Sequence, residues 1–218
     1  MSLVRVHNFT ISLDGYGAGE GQTLEAPFGH AGSRLMQWAF GTRTFRRMGL
    51  PGDGPGSEGV DDSFARRWNE GIGAEIMGRN KFGPQRGPWT DEEWRGWWGE
   101  EPPFHTPVVV LTHHPRSPIV MGGGTTFHFL DAEPAEALRR ARELAGDADV
   151  RIGGGVATVR QFLAADLIDR MHLVVAPIVL GRGERLWDGL EGLEERFEIE
   201  ATPSPLGVVH LNLTRRER

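Results

Sequence analysis

"RIGGGVATVRQFL", residues 151–163, is the stretch on which the reading of this chain turns. A short apolar run meets three glycines, and the glycines open a segment carrying Val156, Val159 and Leu163 at helical spacing. A strand-to-helix turn without side chains lets another group come close to the backbone. It also offers unpaired N–H groups and the positive end of a helix dipole, which suits a phosphate. The triplet does not match G-x-G-x-x-G, so an ordinary dinucleotide fingerprint is absent and plain tight packing is the competing reading.

Outward from this turn, strands and helices alternate. "EPAEALRRARELAG" (133–146) predicts a helix, with proline in its first turn and glycine at its end, and "DVRI" (149–152) a strand after it. "PVVVLTHHP" (107–115) is apolar throughout its first half, as expected of a strand covered on both faces. "LVRVHNFTISL" (3–13), "AEIMGRNKFGP" (74–84), "SPIVM", "TTFHFL" and "MHLVVAPIVLG" also read as strand segments. "RFEIEAT" and "GVVHLNLT" read as a closing antiparallel pair. "SRLMQWAFGTRTFRRM" (33–48) predicts a helix behind Ser33, weakened by Gly41, and "DDSFARRWNEGI" a short one capped by Asp61 or Asp62. "GLPGDGPGSEG" (49–59) is loop by composition. The pattern predicts a mostly parallel sheet with helices on both faces, made mixed by its last two strands.

The 218 residues carry a net charge of −6, which gives no reason to expect nucleic acid or an anionic membrane as partner. The absence of cysteine excludes disulfides, thiolate nucleophiles and cysteine-held zinc. No signal peptide or membrane span is visible, so a cytoplasmic location is expected. Adjacent His113 and His114 point to opposite faces of a strand and make a poor chelate, so no metal is expected.

Three loops fall at strand carboxyl ends, where ligands bind in such sheets: Gly78-Arg79-Asn80, Thr112-His113-His114 and Gly153-Gly154-Gly155. Arg79 adds a fork of donors, and Thr112 and His113 can meet another anionic group. Together they describe a dinucleotide with an extra phosphate.

"FTISLDGYGAG", "AEIMGRNKFGP", "PVVVLTHHP" and "VRIGGGVATVRQFLAADLIDRMHLVVAPIVLGRGERLW" resemble, in this order, the dihydrofolate reductase-like family. The nearer likeness is to its branch containing the C-terminal reductase domain of the riboflavin-biosynthesis deaminase/reductase. The resemblance implies one α/β domain over 1–218, with a sheet of about eight strands, flanking helices, and insertions at about 17–60 and 85–105. It implies NADPH as cofactor, a homodimer, and hydride transfer to a C=N or C=O bond of a small planar, pterin- or pyrimidine-like substrate. By that resemblance Gly78, Arg79 and Asn80 touch the cofactor phosphates, and Thr112 and His113 meet the 2′-phosphate. Gly153, Gly154, Gly155, Val156, Ala157 and Thr158 hold the pyrophosphate, and Asp14 and Gly15 close over the nicotinamide end.

The departures matter too. The segment 33–48 holds no Asp or Glu, where dihydrofolate reductases place their pterin acid, and the deaminase half with its His and Cys zinc site is missing. An alternative is therefore a non-catalytic NADP(H)-binding sensor or interaction module on the same fold. Asp14 is a candidate for proton transfer as well as a turn former, and His30 is a candidate proton donor. Trp94, Trp97 and Trp98 fall at i, i+3, i+4 and would share one face of a short helix, packed on the sheet, on another subunit or as an aromatic wall for a flat substrate. Arg182 and Arg185 would reach an anionic substrate or stand in a solvated turn.

Overall fold

The computed structural model describes residues 2–49 and 52–217. Of the loop read over 49–59, residues 50 and 51 lie outside the described residues. In chain order the strands are β1 (Val4–Ser12), β2 (Tyr16–Ala18), β3 (Ile72–Gly78), β4 (Pro107–Leu111), β5 (Ile119–Val120), β6 (Thr126–Leu130), β7 (Asp149–Gly154), β8 (Arg170–Ala176), β9 (Glu184–Arg185), β10 (Phe197–Pro203) and β11 (Val209–Arg215). The α-helices are α1 (Gln37–Phe40), α2 (Arg43–Arg47), α3 (Val60–Ala65), α4 (Arg79–Phe82), α5 (Pro134–Ala145) and α6 (Val156–Ala164). The fold is a mixed, mostly parallel sheet with flanking helices and a C-terminal antiparallel pair.

The chain forms two compact units, one of residues 1–6 and 71–169, the other of 7–70 and 170–218. In the first, the strand order is β1-β7-β3-β4-β6-β5, with only β5 antiparallel to its neighbour. Ile76, Val108, Val109, Val110, Val150 and Ile152 are fully buried, which is why these strands read as continuous apolar runs. Helix α5 turns Ala137, Leu138 and Ala141 inward, begins with Pro134, and ends at Gly146, whose φ of 63° an L side chain rarely adopts.

In the second unit the order is β10-β11-β8 and then residues 7–12 of β1. Strand β11 pairs antiparallel with β8 on one side and β10 on the other. The core here is Leu35, Trp38, Ala39, Ala65, Val174, Ala176, Leu180 and Val208. The continuous helix expected over 33–48 is broken: a 3-10 turn over Gly29–Leu35 gives way to α1 and then α2. Met36, at φ −103° and ψ 0°, leaves helical geometry, and Thr42 rather than Ser33 caps the last piece, accepting from the Phe45 N–H. Asp61 and Asp62 lie inside the first turn of α3 instead of capping it; Gly59 precedes that turn. Strands β2 and β9, not expected from the sequence, form a separate two-stranded ladder.

Candidate functional site

In the first unit the parallel strands β7, β3 and β4 are neighbours, so the loops that follow them open on one edge. After β7, Gly154 has φ 120°, a geometry open to glycine, and the Gly154–Gly155 peptide is cis. Gly155 is different: its φ is −62°, and a Cβ there would meet nothing within 4 Å. Helix α6 then starts at Val156 with no side chain capping its N–H groups. Ala157 and Thr158 continue that first turn, and Thr158 Oγ1 occupies the space a Cβ on Gly78 would need, so the two loops meet closely.

Beneath the glycines lies a charged cluster. Glu75 on β3 is 2% exposed and accepts from Arg151 Nε on β7 at 2.8 Å. Lys81 Nζ, on α4, donates to Glu75 Oε1 at 2.9 Å and to the Gly153 carbonyl at 2.8 Å. Burial pushes the Lys81 pKa down and the Glu75 charge opposes it, so the ammonium is held by its partner. A charge in the middle of each of two apolar strands, Glu75 in "AEIM" and Arg151 in "DVRI", is the sequence signal of such a buried pair.

Arg79 opens α4, with Asn80 beside it. Its guanidinium carbon lies 3.6 Å from the centre of the Trp89 ring, and Nη1 donates to Thr112 Oγ1 at 3.3 Å. Nε and Nη2 are buried without a hydrogen-bond partner, and burial together with the Arg86 charge pushes the Arg79 pKa down. Thr112 Oγ1 accepts both from Arg79 and from the His114 N–H, at 3.1 Å, which leaves its own proton to give. His113 stands out in solvent, with Nδ1 3.0 Å from Asp131 Oδ1.

The segment holding Trp94, Trp97 and Trp98 is not helical. Gly96 and Gly99 take φ 97° and 68°, which a helix does not allow, so the i, i+3, i+4 spacing does not build one face. Trp98 packs on Phe104 and stacks on Phe127, with ring centres 4.7 and 6.0 Å away. Trp94 meets Trp97 edge to face and donates Nε1–H to the Phe82 carbonyl at 3.1 Å. These contacts match packing onto the sheet. The tryptophan next to the cation is Trp89, which the sequence reading passed over.

In the second unit Asp14 and Gly15 form the turn that the Asp-Gly pair predicts, with the Gly15 N–H on the Ser12 carbonyl at 2.9 Å. The Asp14 carboxylate accepts from Ser12 Oγ at 2.6 Å and from the N–H groups of Leu180 and Gly181. These bonds, the Ser12 hydroxyl above all, lower its pKa to about 2, so it is ionised at neutral pH. His30 Nδ1 accepts from the Glu20 N–H at 2.9 Å, which puts the ring proton on Nε2. Arg182 lies 3.5 Å from Glu20, and Arg185 donates to the Asp14 carbonyl at 3.2 Å.

The family model of the RibD C-terminal domain matches residues 5–202. The chain belongs to the RibD C-terminal domain family. Membership makes it an oxidoreductase. No curated protein matches the chain at a significant level. Among solved structures, a riboflavin biosynthesis protein from Shewanella sp. PV-4 is 20% identical with a TM-score of 0.59, each chain being covered at 100%. The diaminohydroxyphosphoribosylaminopyrimidine deaminase/5-amino-6-(5-phosphoribosylamino)uracil reductase of Thermotoga maritima is 13% identical (TM-score 0.56); 99% of this chain spans 57% of that one. Dihydrofolate reductase from Enterococcus faecalis, complexed with NADP(H), is 14% identical with a TM-score of 0.53, over 99% of this chain and 97% of that one. At these identities the likeness is one of fold. Among the described residues of this RibD C-terminal domain, no helix is long and apolar enough to cross a membrane.

Proposed function

We propose that the protein is an NADPH-dependent reductase of a small planar, pyrimidine- or pterin-like substrate. The observation that carries this is Arg79: a guanidinium with two buried, unpartnered nitrogens and no carboxylate partner among the described residues. Beside it stand the Thr112 hydroxyl and the open first turn of α6. A set of donors with no carboxylate of its own fits a ligand bearing several phosphates. Arg79 and Thr112 would hold the 2′-phosphate, and Gly154, Gly155 and the N–H groups of Val156, Ala157 and Thr158 the pyrophosphate. Bound there, the cofactor supplies the hydride, and the protein supplies position and the exclusion of water.

Asp14 fits a positioning role and not proton donation, because its carboxylate is ionised and spent on three donors. His30 Nδ1 is taken by the Glu20 N–H, and in this reading water is the proton source. The reading is supported by the pyrimidine and uracil substrates in the name of the Thermotoga protein and by the NADP(H) bound to the Enterococcus enzyme. Calorimetric titration with NADPH and with NADH tests it. Micromolar NADPH binding that is lost in Arg79→Ala is expected; folded protein that binds neither nucleotide would end the proposal.

A further inference from the structure

Arg116 is the second cation at the same indole. Its guanidinium carbon lies 3.9 Å from the Trp89 ring centre, against 3.6 Å for Arg79. It is also 4.6 Å from the Phe129 ring centre and 5.6 Å from that of Phe82. Its two terminal nitrogens are engaged: Nη1 donates to the Glu92 carbonyl at 3.0 Å and Nη2 to the Trp94 carbonyl at 2.5 Å. Arg116 thus ties the loop after β4 to residues 92–94. Trp89 is fixed from a second side by its Nε1–H on the His114 carbonyl at 2.6 Å.

Two guanidinium groups so close repel each other, and the Arg79 charge, after burial, is the largest influence lowering the Arg116 pKa, with Glu92 and Asp91 opposing it. Neither arginine has a carboxylate in ion-pair distance among the described residues. The arrangement concentrates positive charge and pre-orients one fork, since Arg79 is held over the face of an indole tethered through its Nε1–H.

We infer that Arg116, acting through Trp89, is a positioning residue that fixes Arg79 for a phosphomonoester and so sets the preference for NADPH over NADH. This rests on the cofactor reading above. Arg116 does not touch the anion in this scheme, because both its Nη groups donate to main-chain carbonyls, those of Glu92 and Trp94.

The test is calorimetry with NADPH, NADH and 2′,5′-ADP on the full chain, wild type beside Arg116→Gln, Arg116→Lys and Trp89→Phe, with circular dichroism to confirm folding. Arg116→Gln is expected to weaken NADPH and 2′,5′-ADP by about tenfold and NADH by less than about twofold. Arg116→Lys should lose most of the same preference, because an ammonium neither stacks flat nor bridges two carbonyls as a planar fork does. Trp89→Phe keeps a ring face without the Nε1 tether and should fall between. An unchanged NADPH-to-NADH ratio in Arg116→Gln would overturn the inference while leaving the cofactor reading intact, and so would full restoration by lysine. If wild-type protein binds none of the three ligands, the cofactor reading falls and takes this one with it. A misfolded Arg116→Gln hands the decision to Trp89→Phe, whose unchanged ratio would count against the inference in the same way.

Discussion

The Glu75 carboxylate fills the space in which a side chain at Gly153 would begin. An ideal Cβ there would also lie 2.7 Å from Lys81 Nζ. Glu75 cannot step aside, because Arg151 and Lys81 both hold it. The first glycine of the triplet is therefore demanded by the protein itself. Gly153→Ala should lower unfolding free energy by about 2–4 kcal/mol, measured by urea denaturation, through overpacking and displacement of a buried ion pair. A stability equal to wild type would mean that the cluster shifts freely.

Gly155 predicts the opposite behaviour. Its Cβ would enter open space at an ordinary φ of −62°. Gly155→Ala should leave urea unfolding within about 0.5 kcal/mol of wild type. It should nevertheless weaken NADPH binding at least tenfold, an effect of about 1.4 kcal/mol, because the methyl stands over the start of α6. Equal loss of stability and binding would place both glycines in one structural role.

Trp98, half-buried, packs onto the core of its unit. It stacks on Phe127, which is fully buried, and meets Phe104 edge to face. Trp98→Ala is expected to cost about 3 kcal/mol of stability. Once an active substrate is found, the KM of the folded fraction should stay near wild type. A raised KM with normal thermal stability would restore the aromatic-wall reading.

The second unit carries a buried chain of polar rings. Asp61 Oδ1 lies 2.9 Å from His210 Nε2, and His210 Nδ1 lies 3.0 Å from His172 Nε2. The Asn8 N–H donates to His172 Nδ1 at 3.2 Å. With both histidines neutral, each link has one donor and one acceptor. Burial, then the neighbouring His7, His210 and Arg67, lowers the His172 pKa from 6.5 to about 2. The pKa of His210 is also lowered, burial outweighing its Asp61 partner. The fold thus excludes protons that the unfolded chain takes up below 6.5. Its stability is whole above that pH and drains away as the pH falls through it, by about 1.4 kcal/mol per pH unit for each excluded proton. Urea titrations between neutral pH and about pH 5 should show this slope, reduced in His172→Gln. A flat profile would show that the chain accepts a proton in place.

Periodicity exposed the parallel strands because burial on both faces writes uninterrupted Val and Ile runs, as in Val108–Val110. Helix α5 was equally readable, its proline and glycine marking both ends. The segment 33–48 misled because its apolar spacing suits a helix while Met36 and the Thr42 cap divide it, and spacing alone does not see a break. The tryptophans of 94–98 misled in the same way, the conformations of Gly96 and Gly99 overriding their spacing. Arg79 and the glycine loop stood out through motif order. Arg116 and Trp89 did not, since what joins them to Arg79 is tertiary: Trp89 and Arg116 are 27 positions apart along the chain, and no local pattern brings a guanidinium to an indole.

Strand β11 lies between β8 and β10, paired along its length on both sides. That position sets the order in which the chain can fold as it is synthesised. All the residues of the first unit have been made once residue 169 is added. Residues 7–70 must wait throughout the making of 71–169, and the sheet of their own unit cannot close until 209–215 arrive to fill its middle. The segment most exposed to aggregation and proteolysis during translation is thus 7–70, which is made early and waits for β8 at 170–176 before β1 has its partner in this unit.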